Sequence, residues 1–262
     1  MKKGFILLIS LFCMTQARSQ VLISLIFGDK LNSPFLEFGL EGGVNFSTIS
    51  DLESSGMNAG FNLGFYFDIR SKQNPAWMIN TGVIVKSPMG ARHIPVYSLN
   101  DANLDNTFAD GTVNREIRYF NVPILIKYQF KNRIYLKTGP QLGLLATAFD
   151  EFKTEVNKDD VVYKKNFRDQ IRVIDAGVAL GAGYHMNVGN GLNITVQYYY
   201  GLVPVMKGDG PDVYNRSLYL TAGLPIGRGK AAQRRAEKDA ELNKVILPED
   251  EAPKPKKTDF KN

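Results

Sequence analysis

Cysteine, histidine and long apolar runs are scarce in this sequence, and each shortage excludes a class of structure or chemistry. The single cysteine, Cys13, lies in a short apolar stretch that we interpret as part of a signal peptide, which excludes disulfides and thiol chemistry from the mature chain. The only histidines are His93 and His185. No segment after the N-terminal stretch approaches 18 consecutive apolar residues, which excludes a transmembrane helix.

The N-terminus has the three regions of a secretory signal peptide. Two lysines precede an apolar core at residues 5–14, and the sequence Ala-Arg-Ser at 17–19 is a small-x-small cleavage site. We therefore predict a cleaved signal peptide over 1–19. Residues 20–34 would then form a periplasmic N-terminal segment.

Positive charge is also scarce where a nucleic-acid surface would need it. The formal net charge is +6, but the predicted signal carries +3 and the tail 227–262 another +3, since it has ten Lys and Arg against seven Asp and Glu. Residues 20–226 therefore have no net charge. This excludes a basic domain, and we predict no nucleic-acid partner.

Eight segments alternate apolar and polar residues with the period of two that β-strands require. They are 35–46, 57–69, 76–87, 117–130, 133–147, 172–187, 191–202 and 215–226. Their first, third, fifth and seventh connections contain 10, 29, 24 and 12 residues, and the others only 6, 2 and 3. Bacterial outer-membrane barrels have short periplasmic turns and long extracellular loops in this way. The sequence predicts an all-β fold over 35–226, an eight-stranded antiparallel up-and-down transmembrane β-barrel in the outer membrane of a Gram-negative cell.

The alternative is a soluble sandwich or lipocalin-like barrel, in which the apolar face of each strand would point inward. The distribution of aromatic residues favours the membrane, because barrels carry an aromatic girdle at each membrane interface. Both ends of the predicted strands are aromatic: Phe65, Phe67, Trp77, Tyr128 and Phe130 lie near the short turns, and Phe46, Phe120, Tyr198, Tyr200 and Tyr214 near the long loops.

Charged residues on the predicted inward faces are the candidate site. They are Glu37, Glu41, Lys127, Lys137, Asp175 and His185. Eight strands enclose a lumen only wide enough for side chains to fill. Because an unpaired buried charge is very costly, we expect opposite charges to pair and plug the lumen. A gated pore or proton relay is the alternative.

The two histidines argue against catalysis. His93 lies in the predicted extracellular loop 88–116, whereas His185 lies near the periplasmic end of its strand, so the membrane separates them. They cannot share an active site or a two-histidine metal site. We predict no catalytic, metal-binding or cofactor-binding residue, no cofactor and no enzymatic activity.

One loop resembles the start of a calcium-binding loop, with Asp101, Asn103 and Asp105 at alternate positions. It lacks the glycine expected at the sixth position, where Asn106 stands, and the glutamate at the twelfth, where Thr112 stands. We predict an ordinary solvated loop.

Three stretches carry a resemblance to a known family: GLEGGVNFS at 39–47, FNVPILIKY at 120–128 and KTGPQLGLL at 137–145. They resemble the PorT-like outer-membrane β-barrel family of the Bacteroidota over residues 35–226. The resemblance implies the barrel fold, the location and a link to secretion of other proteins. It transfers no catalytic residue, and this chain departs from the family pattern by continuing after its last strand.

Function is therefore expected at the loops and the tail. Loops 88–116 and 148–171 and the tail 227–262, predicted to be part helix and part disordered, could contact outer-membrane lipid and envelope or secretion proteins. The second loop carries mixed charge, and we predict that it lacks an apolar anchor. We predict a membrane scaffold or loop-mediated binding protein. A narrow channel and a lipid-modifying enzyme are the alternatives.

Overall fold

The computed structural model describes residues 35–53, 56–156, 158–186, 191–208 and 210–226. The predicted signal peptide 1–19, the segment 20–34 and the tail 227–262 lie outside them. The strands are β1 (Leu36–Ser50), β2 (Gly56–Arg70), β3 (Trp77–Lys86), β4 (Pro88–Ile94), β5 (Thr112–Gln129), β6 (Ile134–Val156), β7 (Asp159–Asn166), β8 (Ile174–His185), β9 (Asn193–Gly201) and β10 (Tyr214–Pro225). One α-helix, α1 (Ala102–Thr107), and a 3-10 turn (Arg168–Gln170) complete the described elements. None of the described helices has the length and hydropathy needed to cross a membrane.

The strands form a closed ring of eight, which confirms the predicted fold. All pairings are antiparallel, and β1 pairs with both β2 and β10, so the first and last strands close the barrel. β3 and β4 together make one barrel strand, because both pair with β2 on one side and with β5 on the other. A register shift at Leu63 and Gly64 accompanies the interruption between them. β7 lies outside the ring and pairs with the extension of β6.

The two faces of each barrel strand differ in burial as the alternation predicts. Along β5, Tyr119 and Leu125 are 1 % exposed, whereas Ile124 and Ile126 are 47 % and 58 % exposed. The apolar face therefore points outward around the ring, and the soluble alternative is wrong. An outward apolar belt on a closed barrel is the surface that lipid covers.

Aromatic side chains cluster at the short-turn rim. The ring centroids of Trp77 and Tyr128 are 4.8 Å apart, those of Tyr128 and Phe130 4.9 Å, and those of Phe38 and Phe67 5.0 Å. Such contacts match the predicted girdle at this interface.

The two long loops are shorter than predicted. Residues 88–94 are strand β4 and 112–116 belong to β5, so the loop 88–116 reduces to 95–111, and His93 lies on a strand. The loop 148–171 is mostly a hairpin of β6 and β7. The prediction ended these strands where their outward residues become charged. Above the membrane an outward residue meets water, so charge there does not end a strand.

The second short turn also differs. The prediction joined two strands by Lys131 and Asn132 alone, but β5 ends at Gln129 and β6 begins at Ile134. The backbone N–H of Phe130 donates to the carbonyl of Ile134 at 2.8 Å, and Arg133 adopts a left-handed φ of 70° that reverses the chain.

Candidate functional site

The barrel interior has two regions of different chemistry. The lower lumen, toward the short turns, holds most of the predicted charged residues. The region toward the long loops, which we call the cap, has a largely apolar interior. It comprises β4, β7, residues 112–118 and 146–156 of β5 and β6, and the connections 95–111, 167–173 and 202–213.

A buried ion pair lies at the centre of the lower lumen. Lys127 Nζ is 2.6 Å from Asp68 Oδ2, and Asn80 Nδ2 donates to the other carboxylate oxygen at 2.7 Å. Lys137 Nζ donates to Asn80 Oδ1 at 3.4 Å. Asp68 is absent from the predicted set, although the alternation of residues 57–69 places it on the inward face.

A second group surrounds Glu37, which accepts a hydrogen bond from the Tyr66 hydroxyl at 3.2 Å and lies 3.7 Å from Arg70. Tyr66 in turn accepts from Asn193 Nδ2 at 3.1 Å. His185 Nδ1 and Asn193 Oδ1 are 2.6 Å apart. Glu37 and His185 are therefore joined through neutral side chains.

The six predicted residues do not form one network. Glu41 lines, with Lys127 and Lys137, a cavity of about 10 Å³, room for one water molecule. Asp175 has separate partners, accepting hydrogen bonds from the hydroxyl of Tyr199 at 3.0 Å and from Nδ2 of Asn215 at 3.2 Å. It lies six positions along β8 from the residue opposite Lys137, a distance of about 20 Å in a strand.

Glycines make room for the lumen tyrosines. A Cβ atom added to Gly39 would overlap the Tyr66 ring, and one added to Gly183 would overlap the Tyr135 ring. Both tyrosine side chains are almost completely buried. Glycine at these two positions therefore relieves crowding in the lumen.

Above this layer polar side chains line the lumen, and some of their hydrogen-bonding groups have no partner among the described residues. Asn121 is 1 % exposed, and neither polar atom of its side chain has a hydrogen-bond partner among the described residues. Gln197 Nε2 donates to Gln141 Oε1 at 3.4 Å nearby. Buried polar groups of this kind are normally satisfied by ordered water.

The cap has its own hydrophobic core, and every connection of the long-loop rim after β2 contributes to it. Its buried members include Met89, Phe108, Val113, Ile117, Ala148, Phe152, Phe167, Ile171, Val205 and Val213, and Ile49 of β1 packs with them. The prediction that the segment 148–171 lacks an apolar anchor is therefore wrong. Phe152, Phe167 and Ile171 anchor it to the barrel mouth, and sequence reasoning missed them because loop charges surround them.

One buried arginine joins the parts of the cap. Arg115 donates to both oxygens of Asp150, from Nε at 2.8 Å and from Nη2 at 2.6 Å. Its guanidinium lies 3.8 Å from the centroid of Phe167, and Nη1 contacts Met206 Sδ at 3.4 Å. The Tyr97 hydroxyl donates to Asp150 at 2.7 Å. Burial and the Asp150 carboxylate raise the pKa of Tyr97, which keeps this hydroxyl protonated and donating.

The carboxylates of the calcium-like stretch hold the cap loop in place. Asp101 caps α1 by accepting hydrogen bonds from backbone N–H groups of its first turn. Asp105 accepts from the Ser98 hydroxyl and the Leu99 N–H, each at 2.6 Å. The Ser98 bond, followed by the Leu99 bond, lowers the pKa of Asp105.

The outer face of the cap sheet carries exposed ion pairs. Glu151 lies 2.6 Å from Lys153 and 3.0 Å from Lys164, and Glu116 lies 2.6 Å from Arg118. These charges stand on the face that is apolar lower down the same strands. The change marks where the sheet leaves the membrane.

Comparison with known proteins agrees with this architecture. Residues 27–207 match the family model described as outer membrane protein beta-barrel domain. Among solved structures, the chain is similar to Ail, the attachment invasion locus protein of Yersinia pestis (16% identity, 71% of this chain and 96% of that chain, TM-score 0.34). It is also similar to OprG from Pseudomonas aeruginosa (12% identity, 74% and 96%, TM-score 0.35). A search of curated proteins finds no match.

Proposed function

Because the chain belongs to the outer membrane protein beta-barrel domain family, we propose that it serves in the outer membrane as a closed, non-enzymatic scaffold whose cap binds partners. The observation that carries the proposal is the cap itself. Its hydrophobic core fills the upper interior, and the surrounding loops pack onto that core. A mouth packed in this way presents a shaped surface instead of an opening.

The lower lumen supports the closed state. Lys127 and Asp68 pair directly inside the barrel, and the cavity beside them has room for one water molecule. A hydrated ion needs a continuous column of water, which small barrels filled by side chains do not provide. The barrel then gives rigidity, and the cap gives specificity.

The non-enzymatic part of the proposal is supported by the surroundings of the histidines. His185 is held by Asn193 in the lower lumen, whereas His93 lies on β4 at the opposite rim. A general base must come within hydrogen-bond reach of the group it serves. Neither histidine has the other as a partner.

Planar-bilayer recording tests the closed scaffold. We expect inserted, folded protein to leave the membrane silent, with heat-modifiable gel migration as proof of folding. Reproducible conductance steps from folded protein would overturn the proposal. They would favour a narrow channel, the second candidate, which the unpartnered amide of Asn121 in the polar mid-lumen supports.

The resemblance to PorT-like barrels supports a partner involved in protein secretion or envelope integrity. Crosslinking in intact cells, with and without residues 227–262, tests this part. We expect a specific partner that depends on the cap or on the tail. Repeated absence of any crosslinked partner would contradict it.

A further inference from the structure

The cap carries an open sheet edge. Within the described part of the chain, β7 pairs with β6 and with no other strand. Val162 is 49 % exposed, and the Lys164 side chain is 60 % exposed. An uncovered edge of eight residues offers a row of unpaired backbone groups to an incoming strand.

The phase of the hairpin shows which residues face this edge. Phe167 N donates to the Ala148 carbonyl at 3.0 Å, one position beyond the pair of Asn166 and Phe149, so Phe167 and Ala148 form a hydrogen-bonded pair. Hydrogen-bonded and non-hydrogen-bonded pairs alternate along an antiparallel ladder. Odd-numbered residues of β7 therefore bond to β6.

The even-numbered residues Asp160, Val162 and Lys164 direct their N–H and C=O groups to the open edge. Their side chains share the outer face of the sheet, as the contact between Lys164 and Glu151 shows. An antiparallel strand added here would continue the hydrogen-bond ladder without moving β6.

The inner face of β7 holds the edge in position. Tyr163 contacts the rings of Phe152 and Phe108, with centroids 6.3 and 6.4 Å away. Lys165 Nζ lies 4.9 Å from the centroid of Tyr97. A partner strand would therefore bind a preformed template, which lowers the conformational entropy lost on binding.

The charge order along β7 determines the charge order that an antiparallel partner strand needs. Two aspartates at 159–160 precede the apolar residues 161–163, and two lysines follow at 164–165. An antiparallel strand with the same order would place its lysines opposite the aspartates and its acidic residues opposite the lysines. A parallel strand of that order would set like charges against each other.

We propose that the open edge of β7 binds an extended segment of another protein, in antiparallel orientation, whose acidic residues precede an apolar centre and basic residues. The inference rests on the cap's being the binding part of the proposed scaffold.

A second copy of this chain in the same membrane does not fit. β7 runs back toward its own membrane in each copy, so two antiparallel β7 strands would belong to opposed membranes.

Fluorescence anisotropy with full-length protein in detergent micelles tests this assignment. The probe is a labelled peptide of sequence DDVVYKKN, acetylated and amidated, which has the required charge order. We expect saturable binding. The same peptide with N-methyl groups at its second, fourth and sixth residues should not bind, because these amides would supply the ladder hydrogen bonds.

Two variants of the protein sharpen the test. Val162→Pro removes an N–H that faces the open edge and leaves the β6 pairing intact. We therefore expect this variant to bind the peptide at least about tenfold more weakly than wild type. The matched control Val162→Thr should bind it with an affinity within about twofold of wild type. Asp160→Lys should weaken peptide binding by about threefold, which is the effect expected of one cross-strand charge pair. In the peptide DDVVYDKN the lysine that would face residue 160 is replaced by aspartate, so this peptide should bind Asp160→Lys with the original affinity.

Three results would overturn the inference. The first is the absence of saturable binding up to about 1 mM peptide, and the second is peptide binding by Val162→Pro that equals binding by wild type. The third is self-association of the protein that Val162→Pro abolishes, because the edge would then bind a second copy of this chain. Conductance remains an independent measurement. A silent barrel that fails to bind the peptide refutes this inference alone, and a conducting barrel refutes the closed scaffold.

Discussion

Replacing Arg115 with methionine tests whether one buried ion pair holds the cap together. The Arg115 side chain is 5 % exposed and that of Asp150 is fully buried. Removing the guanidinium leaves the Asp150 carboxylate in an apolar cap, with the Tyr97 hydroxyl as a remaining donor. Breaking a buried pair in this way costs about 3–5 kcal/mol. At 1.36 kcal/mol for each factor of ten, the population of open caps should rise by about a hundredfold or more.

Limited proteolysis of protein in liposomes, with protease added outside, measures this opening. When reclosing is faster than cleavage, the cleavage rate follows the population of the open form. We expect Arg115→Met to be cut in 95–111 and 202–213 about a hundredfold faster than wild type. Heat-modifiable migration should be retained, because the lower lumen has its own ion pair.

Two further variants decide whether charge burial is the cause. Lys153→Met breaks an exposed pair with Glu151 on the same sheet, where ion pairs contribute about 0–1 kcal/mol, so its cleavage should rise less than about fivefold. Arg115→Met combined with Asp150→Leu removes the stranded charge and should recover most of the resistance. Equal cleavage of Arg115→Met and Lys153→Met would refute the reasoning. Failure of the double variant to recover would show that packing, not charge, is decisive.

Further predictions concern the lumen and the cap loop. Gly39→Ala should lower the free energy of unfolding by about 1–3 kcal/mol, because the added Cβ overlaps the Tyr66 ring. Tyr66→Leu in the same chain should recover part of this loss. Urea titration followed by gel migration measures both variants. A folded Gly39→Ala barrel of wild-type stability would contradict this. The lowered pKa of Asp105 means that its carboxylate stabilises the loop above the ordinary carboxyl pKa, and this contribution disappears as pH falls below about 4. Proteolysis of 95–111 by an acid protease should therefore accelerate over that range in wild type, while Asp105→Asn, already lacking the carboxylate, should respond less. An identical response would exclude Asp105 as the cause.

Several features of this barrel can be read from the sequence because they depend on local periodicity. The alternation along 117–130 assigns Lys127 and Asn121 to the inside and Ile124 to the lipid, and burial agrees. The same rule, applied to 57–69, would have identified Asp68. Strand number and the faces of the strands follow from a two-residue repeat, which each segment carries by itself.

The contacts between strands depend on register and closure, which no single segment contains. Lys127 and Asp68 are 59 residues apart, and they meet because β5 and β2 flank β3 in the ring. Glu37 and His185 have the same inward orientation as Lys127 but different partners, because the stagger of the strands sets their positions.

The cap shows the same division most clearly. From its sequence, the cap is expected to be two charged loops. The alternation of residues does place the charged side chains of β5 and β6 on the outer face. Only the closed barrel brings Phe152, Phe167 and Ile171 into the same core as Ile49 of β1 and Val205 of the connection after β9. Burial of these side chains is a collective property of the assembled strands, so the tertiary structure alone decided that the long-loop rim would be closed and that β7 would be left with an open edge.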